Sequence, residues 1–131
     1  EFVISDNFDV ELLSQQPTLA FANSVFTHVG PEDIRTCLSK LRGPVTLFAT
    51  FNESDEAVSH GVRGHYLGGE QDITYTRDEM HAFGRDNGYE TSYVGVWGHP
   101  KNTWVGRFRH QMMFRFSKAA RPHSLRVTRG K

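Results

Sequence analysis

Three polar residues, Asn23, Ser24 and His28, follow a short apolar run within positions 19–29, which read Leu-Ala-Phe-Ala-Asn-Ser-Val-Phe-Thr-His-Val. The nearly unbroken apolar start of this stretch predicts a strand that is covered on both faces. Because ligands of open parallel sheets bind at the carboxyl ends of the strands, we expect these side chains to offer polar groups to a ligand, with Phe26 walling the same crevice. An alternative is equally well supported by the local sequence: the side chains of Ser24 and His28 would only form hydrogen bonds with nearby backbone groups.

The seven histidines and the single cysteine do not have the spacing of a metal site. No two histidines are four residues apart, as two ligands on one helix face would be, and no Cys/His spacing matches a zinc site. We therefore predict no metal ligands. Cys37 falls in helical register with Ile34 and Leu38, which favours a small buried side chain over a nucleophile.

The charges balance, with 15 Lys and Arg against 15 Asp and Glu in 131 residues. A net charge of zero argues against long-range steering toward nucleic acid or an anionic membrane. Arg107, Arg109, His110 and Arg115 lie among aromatic residues, and this cluster keeps a small RNA-binding domain as an alternative. No apolar run approaches the ~18 residues that span a bilayer, no secretory leader opens the chain, and one cysteine excludes an internal disulfide. We expect a cytoplasmic protein that does not enter membranes.

Strands and helices alternate along the chain. Pro31 in Gly-Pro-Glu-Asp and Thr76 in Thr-Arg-Asp-Glu predict helix starts. Asp9 to Gln16 predicts a further short helix, and positions 52–72 read as a long irregular loop. The alternation predicts one α/β domain over residues 1–117 with a mostly parallel sheet, followed by a basic, loosely ordered tail at 118–131.

The last two strands follow each other without a helix, so we expect them to pair antiparallel at the carboxyl-terminal edge. The predicted strands cover 2–4, 19–22, 45–51, 93–97 and 112–116.

Several segments between Ile4 and Lys118 share their order and spacing with one family. The segments are Ile4-Ser5-Asp6-Asn7-Phe8, Ala22-Asn23-Ser24-Val25-Phe26-Thr27-His28-Val29, Ile34-Arg35-Thr36-Cys37-Leu38, Leu47-Phe48-Ala49-Thr50-Phe51, Tyr75-Thr76-Arg77-Asp78-Glu79-Met80 with Asn87-Gly88-Tyr89, and His110-Gln111-Met112-Met113. In this combination the chain resembles the carboxyl-terminal half of a class I S-adenosylmethionine-dependent methyltransferase. The resemblance implies part of a Rossmann-like sheet, with S-adenosylmethionine as the cofactor of the intact parent protein.

The resemblance also implies roles for two groups of residues. Asp6 would accept a hydrogen bond from the adenine amino group, and Asn7 and Phe8 would line that pocket. Asn23 and Ser24 would lie near the amino-acid end of the cofactor.

On the substrate side, the resemblance implies that Phe26 and His28 face a small-molecule acceptor. His28 is the candidate general base if the reaction needs one, because histidine ordinarily titrates near neutral pH. The acceptor itself is not specified by the sequence.

The glycine-rich loop and the second-strand acid of this family would lie upstream of Glu1. The isolated chain is therefore expected to be inactive and to bind no S-adenosylmethionine at ordinary concentrations. The edge of the strand at 19–23 would lack a neighbour and should drive self-association. A non-catalytic interaction module that keeps half of the fold is the remaining alternative.

Overall fold

The computed structural model describes residues 4–54, 65–67, 70–97 and 111–119. These residues form two α-helices, seven β-strands and one 3₁₀ turn at Val10–Leu12. The strands are β1 (Leu19–Ala22), β2 (Val45–Glu53), β3 (His65–Leu67), β4 (Glu70–Asp72), β5 (Thr74–Tyr75), β6 (Glu90–Trp97) and β7 (Gln111–Lys118), and the helices are α1 (Pro31–Lys40) and α2 (Arg77–Asp86).

The main sheet has the strand order β1-β2-β7-β6, with β5 pairing to the distal end of β2. Both helices pack on one face of this sheet, against the large apolar side chains of β2 and β7. Phe114 and Phe116 are fully buried there, and the Tyr89 and Phe26 rings approach Phe116 at 6.1 and 6.3 Å. The core therefore lies between one sheet face and two helices.

The prediction of a mostly parallel sheet is wrong. β1 and β5 run parallel to β2, but β7 is antiparallel to both of its neighbours, β2 and β6. β7 takes the interior position because Phe114 and Phe116 are buried, whereas much of β6 is exposed, as at Val94 and Val96. The predicted antiparallel pairing of the last two strands is confirmed, with β6 at the edge.

Helix boundaries follow the predicted signals closely. Pro31 stands in the first turn of α1, and Thr76 forms a reciprocal capping box with Glu79 at the start of α2. Asn87 is the C-terminal cap of α2, and Gly88 follows it with a φ of 80°. The predicted helix from Asp9 to Gln16 is wrong in extent, since only Val10–Leu12 form a 3₁₀ turn before Pro17.

The segment at 52–72 is more regular than predicted. Residues of β3 and β4 form a two-stranded antiparallel hairpin, and β2 continues to Glu53. Residues 1–3, 55–64, 68–69, 98–110 and 120–131 lie outside the described residues, so the predictions of a strand at 2–4 and of a loosely ordered tail fall wholly or mostly outside them. Lys118 belongs to β7, so the predicted domain end at 117 falls one residue inside a strand.

Candidate functional site

The carboxyl end of β1 carries a hydrogen-bonded polar cluster formed by Ser24, Thr50 and Gln111. The Ser24 backbone N–H donates to Thr50 Oγ1 at 2.7 Å, and the Gln111 amide nitrogen lies 2.9 Å from Ser24 Oγ. Thr50 is fully buried in β2, Gln111 begins β7, and Asn23 beside Ser24 is exposed. The cluster thus fixes the end of β1 from two other strands and leaves Asn23 open to solvent.

The loop that follows β1 folds back on itself and is anchored from beneath. The His28 N–H donates to the Val25 carbonyl at 3.0 Å, and the Thr27 carbonyl accepts from the Ile73 N–H at 2.8 Å. The Tyr75 hydroxyl donates to the Val29 carbonyl at 2.7 Å, and burial raises the pKa of Tyr75, so the phenol stays a neutral donor. These contacts hold the loop at both ends.

Within this loop, two predicted site residues differ sharply in exposure. The Phe26 side chain is fully buried in the core, where it supports the loop from below. His28 is exposed. The surface presented by the loop is therefore formed by Asn23, Ser24 and His28 rather than by the Phe26 ring.

The second predicted group, Asp6 to Phe8, is held by a different anchor. Lys40 of α1 donates to the Asn7 carbonyl at 2.7 Å and to Asp9 Oδ1 at 2.6 Å. The hydrogen bond from Lys40 lowers the pKa of Asp9 below its ordinary value. Asp6 and Asn7 are exposed and Phe8 is half-buried. The segment is thus fastened to α1, whereas Ser24 is fastened to β2 and β7.

Backbone strain coincides with the predicted site. Among the described residues, the non-glycine positions with positive φ are Phe8 at 54° and Ser24 at 58°. Each such conformation costs ~1–3 kcal/mol and persists where surrounding contacts impose it, which is common at ligand sites. Both residues belong to the set of five that the sequence analysis assigned to the cofactor.

Two residues of the site were missed by the sequence analysis. Thr50 is the buried acceptor for Ser24, and Gln111 is the polar partner of its hydroxyl. The available signal for Thr50 was a polar residue inside the most apolar predicted strand. For Gln111 the only signal is its place in the segment His110-Gln111-Met112-Met113 at the start of the last strand.

A charged clamp lies at the far end of β2, outside the predicted site. Arg77 at the start of α2 pairs with Glu53, and its guanidinium lies 3.6 Å from the centroid of the Tyr93 ring. The Tyr93 hydroxyl contacts Met112 Sδ at 3.1 Å. This arrangement joins β2, α2 and β6 in one place, so we assign it a structural role.

Other chemistry considered from the sequence finds little support in the described residues. No group of three or more metal-ligating side chains occurs in the described part of the chain. Burial raises the pKa of the Cys37 thiol to about 11, which agrees with a packing role. Arg107 and Arg109, which belong to the basic cluster of the RNA-binding alternative, lie outside the described residues. No helix in the described part of the chain is long and apolar enough to cross a membrane.

Comparison with known proteins gives a consistent structural answer. No protein-family model and no curated protein sequence matches the chain. Magnesium protoporphyrin IX methyltransferase from Synechocystis PCC 6803 with bound S-adenosylhomocysteine is 15% identical, with a TM-score of 0.54 over 85% of this chain and 48% of that one. An S-adenosylmethionine-dependent methyltransferase from Methanosarcina mazei gives a TM-score of 0.60 at 14% identity, over 92% of this chain and 68% of that one. A putative O-methyltransferase from Nostoc punctiforme gives 0.61 at 11% identity, over 88% and 35%.

The superposition covers most of this chain but only part of each matched structure. Most of this chain superposes, but it spans only about half the length of the Synechocystis protein. At these identities the similarity establishes the fold and not the activity. The described residues therefore adopt part of the fold of the S-adenosylmethionine-dependent methyltransferases.

Proposed function

We propose that this chain is the carboxyl-terminal part of an S-adenosylmethionine-dependent methyltransferase that acts on a small molecule. The observation that carries the proposal is the superposition of 85–92% of the chain on methyltransferases of known structure. The first of these is named for magnesium protoporphyrin IX, which is a small molecule. Cytoplasmic location is part of the same proposal.

The end of β1 has properties that suit a polar cofactor. Asn23 is exposed beside the left-handed backbone of Ser24, and Thr50 with Gln111 keeps that backbone in place. In the proposed parent protein, Asn23 and Ser24 hold the amino-acid end of S-adenosylmethionine. Asp6, Asn7 and Phe8 would then bind the adenine, with Asp6 as the acceptor for its amino group.

Catalysis in such a protein rests mainly on positioning. When bound, S-adenosylmethionine supplies a methyl group that is already activated by its sulfonium, so the chain's contribution is to orient the acceptor in line with it. Exposed His28 is our candidate to take the acceptor's proton, and buried Phe26 supports the loop that carries His28. A small-molecule acceptor with a nucleophilic oxygen, nitrogen or carbon would fit this role.

The isolated chain should bind the cofactor poorly. By resemblance, the glycine-rich loop and a second-strand acid complete the site, and neither occurs in these 131 residues. Loss of two or three charge-assisted hydrogen bonds at ~1.5–3 kcal/mol each weakens a micromolar site to about millimolar or beyond. The proposal thus predicts cofactor binding by the parent polypeptide and not by this part alone.

Calorimetric titration with S-adenosylmethionine tests the proposal. The isolated chain should give no measurable heat at ordinary concentrations, and a parent polypeptide that includes the glycine-rich segment should bind at about micromolar concentration. In the parent, Asn23→Ala should raise the dissociation constant about tenfold, whereas Gln15→Ala, at an exposed position before β1, should leave it unchanged. Micromolar binding by the isolated chain, or none by the parent, would overturn the proposal.

The role of His28 is tested separately. His28→Gln in the active parent should lower kcat by ~10²–10⁴-fold and remove the acidic limb of the pH profile, because a general base must be deprotonated to act. The affinity for S-adenosylmethionine should not change. If kcat is unaffected, His28 is not the base, and the proposed methyl transfer stands without it.

A further inference from the structure

Residues 73–75, which include β5, lie between the end of β2 and the loop that follows β1. On the β2 side, β5 pairs with β2 and the Tyr75 carbonyl accepts from the Ser54 N–H at 2.9 Å. On the loop side, the Ile73 N–H donates to the Thr27 carbonyl at 2.8 Å. The segment therefore ties the loop after β1 to the body of the sheet.

The segment holds the backbone on both sides of His28. The carbonyl of Thr27, immediately before His28, accepts from Ile73. The carbonyl of Val29, immediately after His28, accepts from the Tyr75 hydroxyl at 2.7 Å. His28 itself is exposed. Two anchored flanking carbonyls restrict the backbone conformations that remain open to His28, so its imidazole is presented from a defined place.

Tyr75 is itself held rigidly, as a group that positions another must be. It is 1% exposed, and its ring packs edge-to-face on the Phe83 ring with the centroids 5.4 Å apart. The next residue, Thr76, caps α2. Burial raises the pKa of the Tyr75 hydroxyl, and its proton is already donated to Val29, so Tyr75 is not an acid or a base of the reaction. It acts as a fixed hydrogen-bond donor.

We propose that Tyr75 is a positioning residue for His28, because its hydrogen bond to the Val29 carbonyl fixes the place from which the imidazole reaches the acceptor. This inference rests on the proposed methyl transfer with His28 as the base. A general base must lie within hydrogen-bonding reach of the proton that it takes, and a displacement of about 1 Å can slow a reaction about a hundredfold. Loss of the Tyr75 hydroxyl therefore slows methyl transfer without removing a catalytic group.

Tyr89 provides a matched control, because its hydroxyl makes the same kind of hydrogen bond away from the site. It donates to the Leu38 carbonyl of α1, also at 2.7 Å, and Tyr89 is buried. Tyr75→Phe and Tyr89→Phe each remove one hydroxyl and leave the ring in the core. We expect their urea midpoints of unfolding to lie within ~0.5 M of each other. A difference between the two variants in the loop after β1 then reflects which contact was lost and not a difference in overall stability.

Amide exchange in the 131-residue chain measures the anchoring directly. The His28 N–H donates to the Val25 carbonyl at 3.0 Å, so its exchange reports the opening of the loop. Tyr75→Phe should speed exchange at His28 about tenfold, and Tyr89→Phe should leave it within about twofold of the wild type. Equal exchange at His28 in the wild type and in Tyr75→Phe would overturn the inference, whether or not the parent polypeptide transfers methyl groups.

A double-mutant cycle in the parent polypeptide tests the link to catalysis. Tyr75→Phe should lower kcat ~10–100-fold with an unchanged affinity for S-adenosylmethionine, whereas Tyr89→Phe should keep kcat within about twofold of the wild type. In the His28→Gln background, Tyr75→Phe should lower kcat by less than about twofold more, because the group that it positions is already absent.

The outcomes separate this inference from the proposed function. An unchanged kcat in Tyr75→Phe or in His28→Gln, or full additivity of the two substitutions, would overturn the role of Tyr75 and leave the proposed methyl transfer standing. A parent polypeptide that binds no S-adenosylmethionine would refute the proposed function and this inference with it.

Discussion

Thr50→Val should destabilise the protein by removing the acceptor that holds Ser24. The Thr50 side chain is fully buried, and its Oγ1 accepts from the Ser24 N–H at 2.7 Å. Valine keeps the β-branched shape and volume, so the change isolates the hydrogen bond. An unsatisfied buried donor costs ~1–3 kcal/mol, and because Ser24 is half-buried we expect a loss of about 1–2 kcal/mol in the free energy of unfolding.

Urea denaturation with amide exchange measures the effect. A loss of about 1.5 kcal/mol lowers the urea midpoint by roughly 1 M at an m-value near 1.5 kcal/mol/M, and the Ser24 amide should exchange faster. Thr46→Val is the matched control, because Thr46 lies on the same strand and its Oγ1 is 3.3 Å from Ser117 Oγ, away from Ser24. The control should change stability by less than about 1 kcal/mol without altering exchange at Ser24. Unchanged midpoint and unchanged Ser24 protection in Thr50→Val would refute the proposed anchoring.

Three further substitutions probe the packing and the charges. Gly84→Ala should destabilise by ~1–3 kcal/mol in chemical denaturation, because a Cβ there would meet Thr91 Cγ2 at 2.1 Å. Thr27→Val should raise the melting temperature through a gain of about 1 kcal/mol, since Thr27 Oγ1 is buried and has no hydrogen-bond partner among the described residues. Lys40→Met should flatten the pH dependence of stability in acid, because the hydrogen bond from Lys40 lowers the pKa of Asp9 in the folded state. The contribution of Asp9 to the free energy of unfolding is present above its ordinary pKa of 3.8 and is lost as the pH falls through the lower folded-state pKa.

Each of these has a clear contrary result. A stable Gly84→Ala variant would mean that α2 can shift away from β6. Destabilisation by Thr27→Val would indicate that the hydroxyl does have a partner. Identical acid titrations of stability for the wild type and Lys40→Met would show that Lys40 does not set the pKa of Asp9.

The helices and the start of the candidate site could be predicted because their signals are local. Thr76 and Glu79 are three residues apart and form the capping box themselves, and Pro31 marks the first turn of α1 without reference to the rest of the chain. Ser24 is predicted as a site residue because it lies two residues after the apolar strand β1. In each case the sequence signal lies within a few residues of the feature that it predicts.

The sheet direction and the remaining site residues depend on distant parts of the chain. Ser24 contacts Thr50 across 26 residues and Gln111 across 87, and no local pattern predicts either contact. The position of β7 between β2 and β6 is set by the burial of Phe114 and Phe116 against both helices. Alternation of strands and helices predicts a parallel sheet. It does not specify where the last strand inserts, and the interior position of β7 makes two of the pairings antiparallel.

The interior position of β7 determines when during synthesis this sheet can be completed. Lys118 pairs with Val45 of β2, and Gln111 pairs with Trp97 of β6. Because β7 follows both strands in the sequence, neither β2 nor β6 can complete its pairing until β7 has been synthesised. A nascent chain that ends before β7 has emerged from the ribosome has β6 without a strand neighbour and β2 with one open side. A premature stop codon just before Gln111 would therefore leave β6 without a strand neighbour and β2 open on one side, and its product would be a ready substrate for proteases.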